Sequence, residues 1–123
     1  MKPMTQQDQT PTKMTLTPED QAWLDAYRRE LDQKFPGLVE QMILFGSKAR
    51  GTATADSDLD LLVVIKDGDW WLKRDFMRCG YRLAVATEVV PSIMVFTAAE
   101  WGSYAARRAP FYRTVSRDGA SIS

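Results

Sequence analysis

Leu44-Phe45-Gly46-Ser47-Lys48-Ala49-Arg50-Gly51, followed closely by Asp56-Ser57-Asp58-Leu59-Asp60-Leu61-Leu62-Val63-Val64, is the stretch on which the reading turns. Val39 to Phe45 is an apolar run closed by Gly46, and Leu59 to Ile65 is a second one closed by Lys66-Asp67-Gly68-Asp69; both have the length of buried strands. A strand that ends in Gly-Ser and turns into a helical segment exposes backbone N–H groups at a helix N-terminus, a natural place for an anion. Gly46 lets the backbone approach phosphates without a β-carbon in the way, and the Ser47 hydroxyl can donate to a terminal phosphate oxygen. Lys48 and Arg50 stand near enough to compensate charge, with Arg50 the better suited because its fork matches phosphate geometry.

Asp58 and Asp60 are two apart on the second predicted strand, so both side chains leave one face, with about 6.6 Å of strand rise between them. Two carboxylates so placed can hold a pair of Mg²⁺ ions roughly 3.5–4 Å apart, an arrangement that stabilises the attacking and leaving oxygens of an in-line displacement at phosphorus. The purely structural alternative has Asp58 capping a turn and Asp60 facing water; the neighbouring Gly-Ser loop weighs against it. Gly46, Gly51 and Thr52 imitate the start of a P-loop, but position 52 is not the lysine that must reach the β- and γ-phosphates, and that reading fails.

Outward from this stretch, residues 1 to 16 are polar, rich in Thr and Gln, and read as a flexible leader, with residues 17 to 123 forming the domain. Thr17 offers an N-cap, Pro18 the first helical position and Glu19 and Asp20 an acidic first turn. Trp23, Leu24, Tyr27 and Leu31 then make one buried stripe to about Lys34. Leu72, Phe76, Cys79 or Gly80, and Leu83 predict a second long helix from Trp70 to about Ala86, with Cys79 in the core. Val89 to Phe96 predicts a third strand, which Pro91 restricts to a sheet edge or to the strand's start. Thr97 and Glu100 form a capping box for a third helix, and Phe111, Tyr112 and Val115 mark one more before Gly119. Trp70 and Trp71 point roughly 100° apart on a helix, so both cannot easily enter one core; a place at the core margin is expected over an outward, partner-binding one. The order of elements indicates an α/β or α+β fold, a small mixed sheet with flanking helices.

The chain has 123 residues and 45% hydrophobic content, enough for one core. No apolar run is long enough to span a bilayer and no secretory signal is visible, so the expected location is cytoplasmic. With no histidine and a single cysteine, zinc sites and histidine general bases are excluded, which leaves carboxylates and hard cations such as Mg²⁺. Sixteen basic residues balance sixteen acidic ones, so bulk charge gives no reason for nucleic-acid binding. From Trp101 onward Arg107, Arg108, Arg113 and Arg117 stand against Asp118 alone, four minus one or +3, which reads first as a solvated helix face.

Gly46-Ser47, ten intervening residues, then Asp58-x-Asp60 resembles the nucleotidyltransferase superfamily that includes DNA polymerase beta, aminoglycoside nucleotidyltransferases and poly(A) polymerases. The spacing is that of its small antitoxin-like members, called MNT; Arg50, Gly51 and Ser57 also sit where that family has them, and the likeness extends loosely over residues 38 to 119. The resemblance implies a nucleotidyltransferase fold, ATP as nucleotide donor, Mg²⁺ on Asp58 and Asp60, and nucleotide contacts from Gly46, Ser47, Arg50 and Ser57. It also implies a protein partner, a helical HEPN-type ribonuclease toxin that the MNT domain neutralises by transferring AMP to a tyrosine. Family enzymes usually carry a third carboxylate on the strand after the long helix. Here that position aligns with Ser92; Glu88 lies nearby but reads as an exposed strand-end residue. The alternative is therefore a nucleotide-binding module that works by masking its partner.

Overall fold

Thr17 closes the first helix with reciprocal hydrogen bonds: its hydroxyl accepts the Asp20 N–H and the Asp20 carboxylate accepts the Thr17 N–H, both at 3.0 Å. The computed structural model describes residues 14–54 and 57–122. Its elements run α1 (Pro18–Lys34), β1 (Val39–Phe45), α2 (Gly46–Arg50), β2 (Leu59–Ile65), α3 (Trp70–Ala84), β3 (Pro91–Thr97), α4 (Ala98–Ala106), α5 (Pro110–Asp118) and β4 (Ala120–Ser121). The expected leader falls outside the described residues up to residue 13; Met14 and Leu16, at its end, pack against the core.

The four strands lie in the order β3-β2-β1-β4. β1 is antiparallel to β2 and β4, and β2 is parallel to β3, so the sheet is mixed as expected. β2 is central and buried on both faces, which is why its sequence is nearly continuous in apolar residues. Alternate residues feed two cores. Leu59, Leu61, Val63 and Ile65 face α1 and α3, whereas Leu62 and Val64 face Trp101 and Val115 of α4 and α5. Asp60 belongs by alternation to the second face, where it is only half-buried while Leu62 and Val64 are fully covered.

The core against α1 is tied by polar ends of aromatic residues. The Trp23 indole N–H donates to the Gly80 carbonyl at 2.9 Å and the Tyr27 hydroxyl to the Phe76 carbonyl at 2.7 Å, so neither ring buries an unsatisfied donor. β3 is an edge strand starting at Pro91, both outcomes the proline allowed. The Ile93 N–H on its free edge donates to the Tyr81 hydroxyl at 3.3 Å, which helps close that edge to other chains. Thr97 and Glu100 form the expected capping box of α4. No helix among the described residues is long and apolar enough to cross a membrane.

Trp70 and Trp71 depart from the expected core margin: they are 60% and 62% exposed. The two rings pack edge to face, 4.9 Å apart, with the Arg74 guanidinium within 5.8 Å of both. Their place in the first turn of α3, right after the Asp69 cap, explains this, because the buried face of the helix is set further along by Phe76, Cys79, Gly80 and Ala84.

Candidate active site

Gly46 follows the last residue of β1 and begins α2 with φ at +77°, a left-handed conformation that favours glycine. A β-carbon on Gly46 would lie 3.0 Å from the Asp60 carboxyl carbon, so the glycine also clears space for that side chain. The register of β1 and β2 enforces the meeting, since Phe45 pairs with Asp60. No side chain caps α2, which leaves its first N–H groups without a side-chain acceptor beside the Asp60 carboxylate. Gly51 ends the helix in the left-handed region at φ +79°, and the Thr52 N–H returns to the Ser47 carbonyl at 3.0 Å.

Asp58 lies just before β2, exposed, whereas Asp60 is half-buried within the strand. Burial pushes the Asp60 carboxyl above the ordinary aspartate range, the neighbouring Asp58 charge adds to this, and Arg50 opposes it. A carboxylate whose charge is disfavoured by burial and by a neighbouring aspartate is a hard oxygen donor suited to a divalent cation. Across the parallel ladder Asp60 pairs with Ser92, so Ser92 occupies the strand position beside the acidic pair. Among the described residues no three His, Cys, Asp or Glu side chains cluster. Glu88 is exposed on the segment before β3, and its N–H approaches the Glu19 carboxylate at 3.5 Å.

Of the two cations read from the loop, the structure separates the roles. Lys48 is buried and its ammonium donates to Asp20 at 2.5 Å, so it joins α2 to the N-terminus of α1 and does not stand free for a phosphate. Arg50 is the exposed one, with the Asp118 carboxylate 3.7 Å from its guanidinium. Ser57 stands directly before Asp58, and its hydroxyl accepts the Thr54 N–H at 2.9 Å. The Ser47 side chain is half-buried at the start of α2. Asp118 and Arg117 also border this region; nothing in local spacing marks them, because α5 returns to the loop only through tertiary packing.

A glycine-led helix start, two aspartates of one strand and the exposed Arg50 guanidinium thus lie at one end of the sheet. The sequence model of the family described as nucleotidyltransferase domain matches residues 24–113. The chain belongs to that nucleotidyltransferase family. It is 50% identical over 44 residues to MJ1305 of Methanocaldococcus jannaschii, named a putative protein adenylyltransferase, covering 36% of this chain and 30% of that protein. It is 50% identical over 34 residues to MJ0604 of the same organism, named likewise, covering 28% of this chain and 34% of that protein. The matched stretches therefore span about a third of these relatives or less. Among solved structures, a mutant toxin-antitoxin MntA-HpeT chain superposes with a TM-score of 0.49 at 20% identity, over 80% of this chain and 71% of that one.

Proposed function

We propose that the chain is a Mg²⁺-dependent nucleotidyltransferase that moves AMP from ATP to a protein hydroxyl, a tyrosine of a HEPN-type toxin, and so acts as an antitoxin. The observation that carries this reading is the contact of Asp60 with the Gly46 turn, which sets one carboxylate of the Asp58-x-Asp60 pair against an uncapped, glycine-led helix start. Family membership supports the transfer of a nucleotidyl group.

In this account Asp58 and Asp60 hold the metal, and bound Mg²⁺ supplies positive charge to the oxygens of the displacement at phosphorus. The backbone N–H groups at Gly46 and Ser47 and the Ser47 hydroxyl receive terminal phosphate oxygens. Arg50 offsets their charge. The acceptor oxygen forms a bond to the α-phosphorus, the bond to the β-phosphate oxygen breaks, pyrophosphate leaves and the hydroxyl proton passes to solvent. Ser92 keeps a polar group beside Asp60 but cannot accept that proton as a carboxylate would. The exposed Trp70–Trp71 pair with Arg74 supports a protein partner, since Trp and Arg are enriched where partners anchor.

Ser92 beside Asp60 also favours the second reading, a nucleotide-binding module that neutralises its partner by association. The test incubates the chain and the protein encoded beside it with Mg²⁺ and ATP radiolabelled at the α-phosphate. Label on the partner, absent with Asp58→Asn plus Asp60→Asn, is the expected result. Tight association without label, and without need of Mg²⁺, selects the second reading.

A further inference from the structure

Arg50 and Arg117 flank Asp118 around a pocket of about 310 Å³ bordered also by Ala49 and Thr52. The Asp118 carboxylate accepts two hydrogen bonds from Arg117, at 3.1 and 3.2 Å, and lies 3.7 Å from an Arg50 nitrogen. Aspartate at the C-terminal end of a helix opposes the helix dipole, so the helix itself does not favour it there. Its place is fixed instead by the three residues after it. Gly119 ends α5 where a β-carbon would lie 2.7 Å from Ile43, and Ala120 and Ser121 pair with Leu44 and Ile43 at the end of β1. That pairing brings Asp118 beside the turn into α2, two residues past Leu44.

The two arginines differ in freedom: the Arg50 side chain is 44% exposed and Arg117 72%. Asp118 takes the Nε and one Nη donor of Arg117 and lies 3.7 Å from a single Arg50 nitrogen, so both guanidiniums still present N–H groups in a fixed plane. Arg117, and behind it Arg50, hold the Asp118 carboxyl below the ordinary range, so it stays ionised. The three side chains carry two positive charges against one negative, a surplus of one beside the phosphate-binding turn.

Building on the nucleotidyltransferase reading, we infer that this pocket takes the terminal phosphates of the nucleoside triphosphate, and pyrophosphate after transfer. Arg117 is a second phosphate-binding residue beside Arg50, and Asp118 is the positioning residue for both. Arg50 lies about 6 Å of helix rise from Gly46, within reach of phosphates seated on the first turn of α2.

The test is calorimetry on the full chain with Mg²⁺, using ATP, inorganic pyrophosphate and AMP. Arg117→Gln and Asp118→Ala should each weaken ATP and pyrophosphate by about tenfold, the factor for one hydrogen bond to a charged group, and leave AMP unchanged; Asp118→Glu should recover most of the loss. Tighter pyrophosphate binding in Asp118→Ala would make Asp118 a competitor for the arginines and overturn the inference. Equal loss for AMP, without recovery by Asp118→Glu, would reduce Asp118 to a fold-supporting role and overturn it as well. Wild type that binds ATP but not pyrophosphate sinks this inference alone, while wild type that binds no triphosphate sinks the reading beneath it.

Discussion

The Asp60 carboxylate occupies the space that a β-carbon on Gly46 would need. The glycine is thus required twice, for its positive φ and for the room it leaves. Gly46→Ala should cost about 1–2 kcal/mol through the left-handed backbone alone and displace Asp60 as well. The expected outcome is a lower melting temperature together with loss of MgATP binding. Ser47→Ala leaves Asp60 in place and should lose only roughly 1–3 kcal/mol of binding, the range for a hydrogen bond to a charged group. Thermal unfolding and calorimetry on the two variants separate these effects.

Burial and Asp58 hold the Asp60 proton more tightly in the folded chain than in the unfolded one. The sign comes from linkage: a carboxylate with a raised folded pKa contributes stability at low pH, and that contribution is lost as pH rises from about 4 through the higher folded value. Glu30, Glu100 and Asp118, all shifted downward, slope the other way, so only the comparison of variants isolates Asp60. In metal-free protein Asp60→Asn should be the more stable on the high-pH side of that window by urea unfolding. Added Mg²⁺ should reverse the order, because only the wild type has both carboxylates to hold it.

Ser92 pairs with Asp60 across β2 and β3, so a carboxylate introduced there stands beside the acidic pair. Ser92→Asp should speed AMP transfer, toward the 10²–10⁴-fold that general-base help typically supplies, taken as a rough range. Single-turnover labelling of the partner measures it. Fast transfer by wild type that the substitution leaves unchanged would place the base elsewhere.

Asp20 and Lys48 form a buried ion pair that holds α2 to the start of α1. Removing one partner strands the other charge, so Asp20→Ala should destabilise the fold by about 3–5 kcal/mol. Asp20→Leu with Lys48→Met should restore much of that stability, because the desolvated charges vanish together. Denaturant unfolding of the single and double variants gives the coupling.

The spans of α1, β1 and β2 are legible in the sequence because each is punctuated locally, by Thr17-Pro18, Pro36-Gly37, Gly46 and Gly68. Asp58, Asp60, Gly46 and Arg50 are legible for the same reason, as neighbours along a strand–turn–strand unit. Lys48 is not, since its burial depends on Asp20, which is distant in sequence and reached only when α1 packs against α2. The same holds for Asp118, brought to Arg50 by the short pairing of β4 with β1, and for Trp70 and Trp71, whose exposure is set by which face of α3 the sheet selects. Helical periodicity places the end of α3 near Ala86; the helix stops at Ala84, where the Val85 N–H turns back to Arg82.

If Asp58 and Asp60 hold the Mg²⁺ that carries the nucleotide at the Gly46 turn, binding must need both the metal and the two carboxylates. Calorimetric titration of ATP into the folded Asp58→Asn, Asp60→Asn double variant and into wild type, each with and without Mg²⁺, tests it most directly. Expected is wild-type binding that depends on Mg²⁺ and none that depends on Mg²⁺ in the double variant, with both proteins melting cooperatively. Binding of MgATP by the double variant at wild-type strength would contradict it.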